Sequence, residues 1–110
     1  GMKKRVAVAR TLALEPEMIL FDEPTVGLDP LLSTNVDELI LGLKKHVKCT
    51  NVVVTHDLDS IFTIADNSIF LDADSKTMIA GGNPRELRDH SPDERVRRFL
   101  RRNRLETGEP

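Results

Sequence analysis

The run Met18-Ile19-Leu20-Phe21 has no polar break, and it ends abruptly in Asp22-Glu23-Pro24. A short apolar run without alternation is the pattern of a strand covered on both faces, as in a parallel sheet. Val52-Val53-Val54 repeats that pattern and is followed by Thr55-His56-Asp57. Between the two runs, Asp29-Pro30 reads as an N-cap followed by proline at the first helical position. Leu32, Val36, Leu39, Ile40, Leu43 and Val47 then recur at helical spacing, which predicts an amphipathic helix to about Val47.

The rest of the chain continues the alternation. Met2 to Leu14 reads as a helix stopped by Glu15-Pro16. Asp57 caps a helix whose inner side carries Ile61, Phe62, Ile64 and Ala65. Ser68 to Leu71 and Thr77 to Ala80 read as two strands joined by a turn on Asp72-Ala73-Asp74-Ser75. Asn83-Pro84 starts one short helix, and Ser91-Pro92 starts another with Val96, Phe99 and Leu100 as its apolar stripe. Residues 1–104 are expected to form the folded part and 105–110 a flexible tail. Strands alternating with helices predict an α/β domain with a mostly parallel sheet.

Composition excludes more than it assigns. No apolar run approaches the length of a membrane span, and no signal peptide opens the chain. The lone Cys49 fits a reducing compartment. A formal net charge of -2 argues against a nucleic-acid binder, although six arginines crowd Arg95 to Arg104. Those arginines read either as the solvated side of a helix or as a surface for a partner or anionic lipid.

In open α/β sheets, ligands sit at the carboxyl ends of strands. Asp22, Glu23 and His56 all fall there, on two strands. A strand-end carboxylate can hold Mg²⁺ through water, and its neighbour can polarise a water for in-line attack on a phosphoryl group. His56 can orient the terminal phosphate. Taken singly, each is better read as a solvated strand-end residue, and helix capping accounts for Asp29 and Asp57.

Together, "ILFDEP", "GLDP" and "VVVTHD" form the ordered set of the ATP-binding-cassette (ABC) ATPases, and the chain resembles that family from Gly1 to about Leu100. The resemblance implies the C-terminal part of a P-loop NTPase domain of ABC type. It implies that Asp22 is the Walker-B aspartate acting on Mg²⁺ and that Glu23 positions the attacking water. It further implies that Asp29 lies in the loop crossing to a second subunit and that His56 is the switch histidine facing the γ-phosphate. "GMKKRVAVARTLALEP" is similar to the end of the family's signature motif and its following helix, so Gly1 and Met2 would contact ATP held by the second subunit. Gly1-Met2 is also readable as a cloning scar before an internal start, in which case the Lys3–Leu14 match stands.

No Gly-x-x-x-x-Gly-Lys-Ser/Thr phosphate loop occurs in these residues. The carboxylates therefore lack the cradle that would hold ATP and Mg²⁺, and the fragment alone is expected not to hydrolyse ATP. In such ATPases the phosphate-loop strand lies between the counterparts of Asn51–Thr55 and Ser68–Leu71. Without it, unpaired edges are expected to drive re-pairing, self-association or element exchange with another copy.

The stretch "NSIFLDADSKTMIAGGNPRELRDHSPDERVRRFL" resembles the end of Mla/Mce-type lipid transport ATPases. That implies a cytoplasmic ATPase subunit, peripheral on the inner face of the membrane, that pairs with a second ATPase subunit and docks on a permease moving phospholipid. Two other readings remain open. One is an ABC ATPase of DNA repair or translation, against which stands the lack of a coiled-coil insertion or basic linker. The other is a non-enzymatic α/β interaction module, such as a receiver-like domain with Asp22 as phospho-acceptor; its acidic pair and terminal Lys are not evident.

Overall fold

The computed structural model describes residues 2–102. The chain divides into two compact units, Gly1–Ile64 and Ala65–Pro110.

In the first unit, α1 (Met2–Leu12) leads to β1 (Met18–Asp22), α2 (Pro30–His46), β2 (Thr50–Val54) and α3 (Leu58–Ile64). α1 ends where Glu15 takes a left-handed backbone (φ 51°) and its N–H bonds Leu12 O. β1 and β2 pair in parallel, with Leu20 opposite Val52 and Asp22 opposite Val54. Asp29 caps α2, its side chain accepting from Leu32 N–H at 2.9 Å, with Pro30 next in line. Lys44, Lys45 and His46 occupy the last turn of α2, where positive charge complements the helix dipole.

Val36, Ile40 and Ile64 form the core of this unit, with Phe21, Leu28, Leu41 and Val53 packed against them. Only one face of the β1–β2 pair is covered. Ile19 is buried, whereas Met18, Leu20, Val52 and Val54 are 62%, 64%, 39% and 50% exposed. The sequence had read both runs as strands covered on both sides. Side chains alternate across a strand, and α2 and α3 can cover only one face of it. The other apolar face has no cover among the described residues.

One polar atom on the covered side lacks a partner. Asn51 stands opposite Ile19, and its Oδ1 is buried without a hydrogen bond. Leaving such a group unsatisfied costs about 1–3 kcal/mol. Asn51→Val should therefore raise stability by about 1–2 kcal/mol, read as a higher urea midpoint; an unchanged midpoint would mean that water already satisfies the amide.

In the second unit, β3 (Ser68–Asp72) and β4 (Thr77–Gly82) form an antiparallel hairpin, followed by α4 (Pro84–His90) and α5 (Glu94–Leu100). Asp72 organises the turn, its Oδ2 accepting from Ser75 N–H at 3.1 Å and its carbonyl from Lys76 N–H at 2.8 Å. Lys76 is left-handed there (φ 56°). The parallel pairing thus lies in the half that carries the motifs, and the two pairs remain separate two-stranded sheets. Among the described residues, no new pairing replaces the strand expected to be missing.

Asn83 caps α4 by accepting from Arg85 and Glu86 N–H. α5 starts later than Ser91-Pro92 suggested: Ser91 closes α4, and Asp93 caps α5 through Arg95 N–H. Leu87, Val96 and Leu100 are buried, and Phe70 meets Phe99 edge-on at 5.8 Å. The arginine run is largely engaged within the unit. Arg95 pairs with Asp93 and Asp72, Arg98 with Glu94, and Arg97 donates to Ser91 O, while Arg102 lies over Phe99. These contacts favour the structural reading of the arginines over a lipid-facing one. The tail 105–110 lies outside the described residues.

Candidate functional site

The site forms at the carboxyl ends of β1 and β2. Glu23 continues the ladder beyond Asp22, donating its N–H to Val54 O at 2.7 Å. Its backbone is left-handed (φ 46°), a conformation costing a non-glycine residue about 1–2 kcal/mol. That turn separates the adjacent carboxylates. Asp22 keeps the strand's alternation, on the same exposed face as Leu20, while Glu23 reaches the loop after β2. There its Oε1 lies 2.9 Å from His56 Nδ1.

An ionised carboxylate only accepts, so the 2.9 Å contact assigns the hydrogen of the pair to Nδ1. The histidine side chain is 68% exposed and the glutamate 32%, so the pair is worth little by itself. Its geometry depends on the two backbones.

Those backbones are tied together. Thr25, buried two residues after Glu23, donates its Oγ1 hydrogen to Asp57 Oδ2 at 2.8 Å. Asp57 also caps α3, accepting at Oδ1 from Asp59 and Ser60 N–H. Ser60, only 1% exposed, donates Oγ–H to Asp37 Oδ1 on α2 at 2.8 Å. Sequence reading identified Asp57 as a cap but missed Thr25, Ser60 and Asp37. One signal was available for Asp37: it follows Val36 and precedes Ile40 by three residues, so it falls on the inward face of α2.

The other expected site residues are placed unevenly. Asp29 is exposed and its carboxylate is spent on capping α2. Gly27, just before it in the loop, has φ 76°, which glycine adopts without strain. Gly1 lies outside the described residues, as does the side chain of Met2, whose backbone opens α1. Among the described residues no three metal-ligating side chains cluster. Asp22 alone still fits Mg²⁺, which takes one or two carboxylates and completes its shell with water and phosphate oxygens.

Burial raises the Asp37 carboxyl above the ordinary range; the Ser60 bond opposes this, and Asp57 and Asp59 add to it. Within that window the folded chain holds a proton that the unfolded chain has released, so stability falls as pH rises through it. Asp72, Asp89 and Asp93, lowered chiefly by hydrogen bonds from Ser75, Arg88 and Arg95, act in the opposite sense and lose their contribution as pH falls. Urea midpoints from acid to neutral pH should therefore pass through a maximum. Asp37→Asn should flatten only the higher-pH side; an unaltered profile would place the effect elsewhere.

No protein-family model matches the chain. Among curated relatives, it is 45% identical over 100 residues to the intermembrane phospholipid transport system ATP-binding protein MlaF of Escherichia coli, covering 91% of this chain and 36% of the relative. It is 40% identical over 102 residues to the L-cystine import ATP-binding protein TcyN of Bacillus subtilis, covering 93% and 38%. The solved structure of CbiO1 from Clostridium perfringens, part of the ABC transporter complex CbiONQ, superposes with a TM-score of 0.73 at 34% identity, covering 94% of this chain and 40% of that one. The chain thus spans about two-fifths of the length of the proteins it matches. Over more than nine-tenths of its residues the chain is similar, in sequence and in α/β fold, to part of the ATP-binding subunits of ABC transporters.

Proposed function

We propose that the chain supplies the hydrolytic half-site of an ABC transporter ATPase: Asp22 for water-bound Mg²⁺, Glu23 for the attacking water and His56 for the γ-phosphate. The observation that carries this reading is the 2.9 Å Glu23–His56 pair at adjacent strand ends, held by a left-handed backbone at Glu23. Strained backbone at a polar strand end is where function is stored rather than stability. ATP with its Mg²⁺ supplies the phosphoryl group and the charge that activates it. This chain's residues orient the water, accept its proton at Glu23 Oε1 or Oε2, and aim the imidazole. Asp29 and the Gly1-Met2 start of α1 would face a second ATPase subunit.

By the same reading the phosphate cradle comes from sequence that these 110 residues do not contain, so the chain alone does not turn over ATP. Residues 1–104 act as one partial ATPase domain. The working enzyme is a pair of such subunits on the cytoplasmic face of a membrane, docked on a permease. Among the described residues no helix is long and apolar enough to cross a membrane. Phospholipid is the cargo we favour, from the Ile79-to-Leu100 pattern and the 45% identity to MlaF. The cystine and amino-acid importers among the relatives are the competing assignment. A chimera tests the chemistry: this chain replaces the matching segment of MlaF, and ATP hydrolysis is measured with and without Glu23→Gln. Loading of the chimera's complex with lipid, or with cystine, separates the two cargoes.

A further inference from the structure

Four polar side chains from four segments meet in the interior of the first unit. Thr25 lies in the turn after Glu23, Asp57 in the loop after His56, Ser60 in α3 and Asp37 in α2. Thr25, Ser60 and Asp37 are 5%, 1% and 6% exposed, so the two hydroxyls and Asp37 Oδ1 are largely withdrawn from water and need partners. The partners are one another. Thr25 Oγ1–H goes to Asp57 Oδ2 at 2.8 Å and Ser60 Oγ–H to Asp37 Oδ1 at 2.8 Å, with Ser60 Oγ also 3.4 Å from Asp57 Oδ2.

Helix capping needs only one oxygen of Asp57, and Oδ1 already takes the Asp59 and Ser60 N–H groups. The second oxygen is spent on Thr25, thirty-two positions earlier in the chain. No local structural demand accounts for that bond. Its effect is to tie the turn bearing Glu23 directly to the loop bearing His56. Asp57 N–H donates to Thr55 Oγ1 at 3.0 Å, which fixes the same loop from the other side of the histidine. Through Ser60, the assembly is anchored to Asp37 in the long helix, which cannot shift without disturbing Val36 and Ile40. The exposed Glu23–His56 pair is too weak to hold this geometry alone.

We propose that Thr25, Asp57, Ser60 and Asp37 are positioning residues, forming one largely buried hydrogen-bond chain that sets His56 Nδ1 against Glu23. Their importance to hydrolysis rests on the function proposed above; the geometric claim does not. The charged groups facing Asp37 along this chain are Asp57 and Asp59, both acidic. Every bond in the chain is therefore made by a hydroxyl or backbone donor, and removing one hydroxyl breaks it.

The test is the ring tautomer of His56, followed by ¹⁵N-edited NMR of the whole chain without nucleotide. The unaltered chain should show hydrogen on Nδ1. Thr25→Val and Ser60→Ala should keep the dispersed amide spectrum yet lose that signature, the ring reverting to the mixture of a free histidine. Thr25→Ser, which restores the hydroxyl, should recover it. Thr34→Val, which removes a surface hydroxyl bonded only to Pro30 O, should leave it unchanged. A His56 ring lacking Nδ1–H in the unaltered chain, or one unmoved in the Thr25→Val variant, overturns the proposal. If Ser60→Ala unfolds the chain, Thr25→Val at the other end carries the same test. Because no measurement uses ATP, an inactive chimera and a failed hydrogen-bond chain remain separate results.

Discussion

Light scattering should find the chain self-associating with rising concentration, and Leu20→Lys with Val52→Lys should return it to a monomer. The two residues stand opposite each other on the uncovered face of β1–β2, flanked by Met18 and Val54. Fully burying one such side chain is worth about 1.5–3 kcal/mol. With roughly half of each still exposed, covering all four returns on the order of 3–7 kcal/mol before the cost of association. Once that cost is subtracted, this face alone supports pairing no tighter than about millimolar. Strand edges add to it, since among the described residues each strand of the two-stranded sheets has one neighbour and an edge without a ladder partner. The hairpin contributes a second exposed apolar set in Ile69, Leu71 and Met78. Lysine at positions 20 and 52 places two positive charges side by side, so burial would then cost more than it returns. A mass that still rises in the double variant would move the cause to the strand edges or the hairpin. A monomer at all concentrations would refute self-association altogether.

The same face explains where the sequence misled. Unalternated apolar runs correctly marked β1 and β2, their parallel pairing and the carboxyl ends where the site forms. They also implied cover on both faces, and only one is covered. A strand's composition records every surface it was selected to meet, including surfaces supplied by residues outside the described segment. Local signals fared better. Asp29-Pro30 and Asn83-Pro84 began their helices as expected, because a cap and a proline act within one turn. Ser91-Pro92 misplaced α5 by two residues because Ser91 ends the preceding helix and Asp93 holds the cap. Glu23 and His56 were identified as neighbours in function from their strand-end positions and the family resemblance. Their direct bond was not legible, since it depends on the left-handed backbone at Glu23. The Thr25–Asp57 tie was equally hidden, because no periodicity relates residues so far apart in the chain. Asp37 looked like a polar residue of an amphipathic helix, and only packing revealed it on the inner side.

Glu23→Gln in the MlaF chimera should lower ATP turnover by about 10²-fold or more, the usual contribution of a positioned general base. Glutamine has the same shape, and its amide oxygen can still accept from His56 Nδ1–H, so the pair at 2.9 Å should survive the change. The carboxamide cannot take a proton from water. The substitution therefore separates orienting the histidine from activating the nucleophile. KM for ATP should change little, because the phosphates are held by the cradle from the other half and the loss falls on the chemical step. Asp22→Asn should act differently, raising the Mg²⁺ concentration needed for half-maximal turnover as well as lowering the rate, since on the proposed reading it removes charge from the metal's shell. If Glu23→Gln leaves turnover intact while Asp22→Asn abolishes it, the water is activated from elsewhere and Glu23 serves only to hold His56. If the chain by itself hydrolyses ATP and Glu23→Gln stops it, the phosphate cradle must be built from these 110 residues. That result would require a site around the strand ends different from the half-site assigned to Asp22, Glu23 and His56.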